Sequence, residues 1–290
     1  MAVGILSLAA NLDRQSFLSR ILLGLALVVF ATLVVRSAGA LNPDRSRGAL
    51  VLFSWVASCG VLGQGLGVWL PVARYAFAAL ALGGFIAALV VLAPLIRKER
   101  QWRSWPVNGS WLLAVVAVQS LSILAASTAP AVFGVGVALW VLGLATYGFL
   151  ITLIIRRLVR QEVDAAGLSP DYWITMGALA ISTVAAVGLR LGPLALAAWA
   201  CGAAWITYLC VVELMGVRAR GLQFRYDTLR WSTVFPLGMF SVASHELAHL
   251  DGVPIFNSIG SLSFWTGLGL AILIAAAASS KLRPGVVSRC

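Results

Sequence analysis

ILLGLALVVFATLVV, Ile21–Val35, runs fifteen residues without a charge and is followed at once by Arg36. A helix on the surface of a soluble protein shows a polar face within every turn or two. This stretch shows none, so it reads as the centre of a membrane-spanning helix with a basic residue at its end. ALALGGFIAALVVLAPLI, Ala79–Ile96, has the same character and is followed by Arg97 and Lys98. Comparable runs recur to the C-terminal end. The 290 residues are 61% hydrophobic and 11% charged, too little polar surface for a soluble protein of this length. The runs do not alternate in polarity, which excludes barrel strands. A charged n-region and a cleavage site are both missing from the start, so no signal peptide is expected.

The expected spans are 1–12, 17–37, 48–70, 73–96, 109–128, 131–156, 171–190, 193–216, 230–250 and 258–280. The breaks between them carry turn chemistry: Asn42-Pro43, Trp69-Leu70-Pro71, Ala129-Pro130, Ser169-Pro170, Gly192-Pro193 and Gly252-Val253-Pro254. Residues 1–290 are expected to form a single transmembrane domain of ten helices. A helix over 1–12 reaches only about 18 Å against a hydrocarbon core of about 30 Å. Helix one is therefore expected to be truncated, with Met1 an internal methionine and roughly ten residues missing before it.

The formal net charge is +11. Seventeen of the basic residues follow even-numbered spans, beginning with Arg36, Arg45 and Arg47 and ending with Lys281, Arg283 and Arg289. Only Arg14, Arg20, Arg74 and Arg190 fall on the other side. Basic residues collect in cytoplasmic loops, so both termini are expected to be cytoplasmic, in a multi-pass protein of the inner membrane. The same bias explains the net charge without any nucleic-acid partner. Trp69, Trp102, Trp105, Trp111, Trp173 and Trp231 sit near span ends, where an interfacial aromatic belt belongs. Cys59, Cys201, Cys210 and Cys290 form no Cys-x-x-Cys pair and imply neither a metal site nor a disulfide framework.

Even-numbered spans are plain Leu/Val/Ala/Ile helices. Odd-numbered ones carry small and polar residues: Gly60, Gly63 and Gln64 in span three, Gln119, Ser120 and Ser122 in span five, Ser241 and Ser244 in span nine. Two readings are open. Small residues allow close helix packing, or the odd helices line a polar path while the even ones face lipid.

Span nine ends in SHELAHLDG, Ser244–Gly252, which contains His-Glu-x-x-His at His245, Glu246 and His249. On a helix that spacing serves zinc hydrolases, with the glutamate as general base. It makes an intramembrane zinc metalloprotease the alternative reading. A catalytic zinc needs a third protein ligand, and the chain has only these two histidines. Asp251 points about 200° round the helix from His249, and the charge sorting leaves only Asp13 on the same side of the membrane. The favoured reading is a polar helix end at the outer interface. It expects Glu246→Gln to leave transport largely intact.

GILSLAA (4–10), NGSWLLAVVAVQSLSILAA (108–126), PDYWITMGALAIST (170–183) and RYDTLRWSTVFPLGMFSVASHEL (225–247) resemble, in order and spacing, the tellurite-resistance/C4-dicarboxylate transporter family. That family includes tellurite resistance protein A, malate transporters and the plant slow anion channels. The resemblance implies ten helices as five hairpins, the odd ones forming an inner pore ring and the even ones an outer ring. It further implies a homotrimer in the lipid bilayer, small anionic substrates of the dicarboxylate, tellurite, sulfite or halide type, no cofactor and no enzymatic activity. A phenylalanine on helix nine plugs the pore in better-known members. The matching residue here is Phe235, with Pro236 beside it as an expected kink. Candidate pore-lining residues on the odd spans are Ser7, Gln64, Asn108, Ser110, Gln119, Gly177, Ser182 and Gly238. No Arg or Lys ring lies within the spans, so selection would fall to helix N-termini, peptide dipoles and hydroxyl groups.

Overall fold

Away from water an unpaired backbone N–H or C=O costs several kcal/mol, and a helix alone pairs them all within one segment. Each apolar run obeys this. The computed structural model describes residues 1–38, 45–98, 107–128, 130–160, 169–220 and 227–282. Its helices are α1 (Ala2–Leu12), α2 (Ser16–Ala38), α3 (Arg45–Gly67), α4 (Val72–Lys98), α5 (Leu113–Thr128), α6 (Phe133–Val159), α7 (Ile174–Gly188), α8 (Gly192–Arg220), α9 (Trp231–Asp251) and α10 (Pro254–Leu282). Short 3₁₀ turns lead into α5 (Gly109–Leu112), α7 (Pro170–Trp173) and α9 (Thr228–Arg230). No strand occurs among the described residues. The expected Asn42-Pro43 turn, Ala129, Trp102, Trp105 and the loop arginines Arg100, Arg103, Arg225, Arg283 and Arg289 lie outside the described residues.

Ten helices correspond to the ten expected spans, and eight are long and apolar enough to cross a membrane unaided. The remaining two are α1, with 11 residues, and α9, with 21. Helix α9 is less apolar because protein surrounds it: α1, α7, α8 and α10 all pack on it.

The hairpin turns after odd helices are tight. In α1–α2, Arg14 takes φ +62° and the Gln15 N–H donates to the Ala10 carbonyl at 2.8 Å. The α7–α8 turn repeats this with Arg190 at φ +58° and the Leu191 N–H on the Ala186 carbonyl at 2.8 Å. After α9, Gly252 takes φ +66°. A left-handed residue at this position is the usual end of a helix, and glycine adopts it without strain. Arg14→Gly and Arg190→Gly are each expected to stabilise the fold by about 0.5–1 kcal/mol, the relieved strain less the added chain entropy. Thermal unfolding in detergent checks this.

Within each hairpin the two helices pack on one another: α1 with α2, α3 with α4, α5 with α6, α7 with α8 and α9 with α10. Consecutive odd helices also touch, and α1 meets α9, so the odd helices close into a ring. Each even helix rests outside, over its hairpin partner and the next odd helix, with α10 reaching round to α1. Burial follows the rings. Only 11% of the apolar stretch of α4 is buried within protein, against 83% of that of α7. Both described ends of the chain lie on the face where odd helices begin, termed the terminal face below. The odd helices end at the opposite face.

A few polar side chains hold the rings together. Gln119 donates to the Trp140 carbonyl at 3.2 Å, Ser122 to the Gly136 carbonyl at 2.8 Å, and Trp140 to the Ser182 carbonyl at 2.9 Å. Trp199 of α8 donates to the Ser244 hydroxyl of α9 at 2.9 Å. These bonds tie inner helices to outer ones where no water competes for either partner.

Candidate functional site

Along α9, Phe235, Met239, Val242 and Glu246 follow at intervals of four, three and four residues. That spacing keeps them within about 60° of one another on the helix surface. Gly177, Ile181, Val184 and Gly188 repeat it on α7. Met239, Val242 and Glu246 of the first stripe and Ile181, Val184 and Gly188 of the second line open space inside the ring, while Gly177 packs on Pro236.

A cavity of about 40 Å³ is lined by Ile5 and Leu8 of α1, Gly60, Val61 and Gln64 of α3, Ser120 and Ile123 of α5, Ile181 and Val184 of α7, and Met239 and Val242 of α9. All five odd helices contribute and no even helix does. A larger cavity of about 210 Å³ lies toward the opposite face, lined by Gln64, Ile123, Ala126, Ser127, Val184, Val187, Gly188 and Glu246. The two share Gln64, Ile123 and Val184, so they are adjoining chambers inside the ring. Gln64 stands at their junction and donates from Nε2 to the Ser127 hydroxyl at 2.8 Å. Ser127 in turn donates to the Leu124 carbonyl at 3.1 Å. The small chamber is walled almost wholly by hydrocarbon. The larger one carries Gln64, Ser127 and Glu246.

Phe235 is 1% exposed and lies one turn from Met239 toward the terminal face, on the same stripe. The cavity lining on α9 stops at Met239. Helix α9 runs unbroken through Pro236. The Pro236 ring packs on Gly177 of α7, where an added Cβ would stand 3.0 Å from its Cγ. That close seat on the neighbouring helix compensates for the hydrogen bond proline removes.

Among the candidate lining residues, Gln64 alone borders the two chambers. Ser7 donates to the Ser19 carbonyl of α2 at 2.8 Å. Gln119 reaches α6, and Ser182 donates to its own helix at the Ala178 carbonyl. Gly238 backs onto α1, where an added Cβ would meet Ile5 at 2.8 Å. Asn108 is exposed and makes no side-chain cap. Ser110 is held by Asp171: its N–H and its hydroxyl both donate to Oδ2, at 2.9 and 2.7 Å. The N-terminus of span five, expected to attract a substrate anion, already holds the protein's own carboxylate.

The His-Glu-x-x-His stretch lies on α9 as a helix, but its side chains diverge. His245 is buried against α10, with Nδ1 3.1 Å from the Asn257 Oδ1 and Nε2 3.8 Å from the Asp13 carboxylate. Ser261 donates to that same carboxylate. His249 is exposed. Glu246, about 100° round the helix from His245, borders the larger chamber. Among the described residues no three His, Cys, Asp or Glu side chains cluster as metal ligands would. The donor set does not fit a catalytic zinc. A glutamate on the path revises the expectation that Glu246→Gln leaves transport intact. Its position was legible in the four-three-four spacing from Phe235, a signal that the metal motif overshadowed.

The sequence profile of the voltage-dependent anion channel family matches residues 1–279. An uncharacterised membrane protein found in two strains of Mycobacterium tuberculosis is 31% identical over 133 residues, covering 41% of this chain and 68% of that protein. An uncharacterised transporter of Methanocaldococcus jannaschii is 22% identical over 204 residues, 64% of this chain and 59% of that protein.

Proposed function

The chain belongs to the voltage-dependent anion channel family, and on that premise we propose that it passes small anions along the axis of the odd-helix ring, with Phe235 as a steric gate. The family is one of membrane transporters and channels rather than enzymes, so an anion substrate and a lipid bilayer follow from membership. The zinc protease reading finds no support in it. Dicarboxylate, tellurite, sulfite and halide are the substrate types this reading admits.

One observation carries the proposal: the chambered path is lined by all five odd helices. Among the described residues no basic side chain lines either chamber. An anion there would be held by peptide dipoles and by N–H and O–H groups, which suits passage better than tight binding. Gln64 at the junction is the lining group that the reading assigns to substrate contact. Ser7, Asn108, Ser110, Gln119, Gly177, Ser182 and Gly238 then act through helix packing.

The charge bias assigns the terminal face to the cytoplasm and places the protein in an inner membrane. A single transmembrane domain over the whole chain accords with the closed ring. Homotrimeric assembly, one path per protomer, is part of the same proposal. The apolar outer faces of the even helices, such as Phe17, Val28 and Leu33 of α2, suit lipid and neighbouring protomers alike. The test is flux from proteoliposomes loaded in turn with malate, tellurite, sulfite, nitrate and chloride. We expect selective, protein-dependent flux of at least one of them. Failure of all five to move would overturn the reading.

A further inference from the structure

We propose that Glu246 is a valence filter on this path, so that the substrate class is monovalent anions and dianions are rejected. The inference rests on the transport reading above and narrows its substrate. Glu246 borders the larger chamber, which also meets Gln64 and Ser127. Among the described residues it is the one charged side chain lining either chamber. Helices α3, α5 and α7 bring no cation to meet it there. On its own helix His245 is turned to Asn257 and Asp13, and His249 is exposed. The polar groups nearby, Gln64 and Ser127, are bonded to one another and carry no charge.

An anion entering from the opposite face therefore meets the Glu246 carboxylate just before a chamber of about 40 Å³ with hydrocarbon walls. There its own hydration is reduced and the field of Glu246 is poorly screened. Coulomb repulsion is proportional to the charge of the entering ion. The barrier that Glu246 adds for a dianion is twice that for a monoanion, so the rate penalty is squared. Size cannot mimic this relation, because a steric barrier does not change when a carboxylate becomes an isosteric amide. The sequence motif that suggested a metal-bound water thus supplies selectivity through charge alone.

The experiment measures chloride and sulfate flux through the reconstituted full chain, as the parent and as Glu246→Gln, Glu246→Asp and Glu246→Lys. Both ions keep their charge across the usable pH range. In Glu246→Gln chloride flux is expected to rise about tenfold and sulfate flux about a hundredfold, one added barrier removed once and the other twice. Glu246→Asp retains the preference for chloride, and Glu246→Lys shifts it further toward sulfate than Gln does. Equal gains for both ions, or no gain for sulfate, would overturn the filter while leaving chloride transport standing. A parent that passes no anion at all would overturn the transport reading and the filter with it.

Discussion

Phe235→Ala is expected to raise anion flux at least about tenfold, while Phe240→Ala raises it not at all. The two rings make a controlled pair. They belong to one helix, they are 1% and 2% exposed, and truncating either removes the same buried hydrocarbon at about 3–5 kcal/mol in an ordinary core. Their directions differ by about 140°. Phe240 points outward: its ring stacks on Trp199 of α8 with centroids 5.3 Å apart and planes 18° apart. Phe235 falls on the same helical stripe as Met239, Val242 and Glu246. If Phe235 closes the path, its loss joins the chambers to the terminal face, and Phe235→Leu gives an intermediate flux with less loss of stability. Equal flux in Phe235→Ala and Phe240→Ala, both folded and inserted, would remove Phe235 from the gate.

Gly109→Ala is expected to abolish the folded protein. An ideal Cβ on Gly109 would stand 2.2 Å from the Asp171 carbonyl oxygen, 2.4 Å from its carbon and 2.6 Å from the Tyr172 nitrogen. All three are backbone atoms, so no rotamer can relieve the clash. Relief requires separating the starts of α5 and α7, and the bonds between them hold that approach in place. Asp171 is 1% exposed and accepts from the N–H and hydroxyl of Ser110 and from the hydroxyl of Ser169. Pulling the two helices apart strands a buried carboxylate from both of its Ser110 donors, a loss of more than about 4 kcal/mol. Yield of monodisperse protein after detergent extraction is the measurement. A Gly109→Ala variant that purifies and melts like the parent would show that the two turns are not in contact.

Both effects follow from features of different origin. The membrane solvent constrains each segment separately: length, apolarity, self-pairing backbone and the side of the basic residues. Such information is local, and it is complete in runs such as Ile21–Val35 and in breaks such as Gly252-Val253-Pro254. The ten helices and the division into plain and small-residue helices were therefore legible in the chain itself. So was the anion-channel family, through the ordered motifs around Asn108, Pro170 and Arg225. The rotation of each helix about its own axis is not local. It is decided by which neighbours offer a glycine, a carbonyl or a groove, as Gly177 does for Pro236 and the Trp140 carbonyl does for Gln119. Polarity alone marked Ser7, Gln119 and Ser182 as lining residues, and tertiary packing turned them to neighbouring helices or back onto their own carbonyls. The same packing put Glu246 on the wall of the larger chamber and His245 against Asn257. In lipid a hydroxyl or amide gains as much from a carbonyl on the next helix as from a solvated path, so its residue type cannot tell which it will meet.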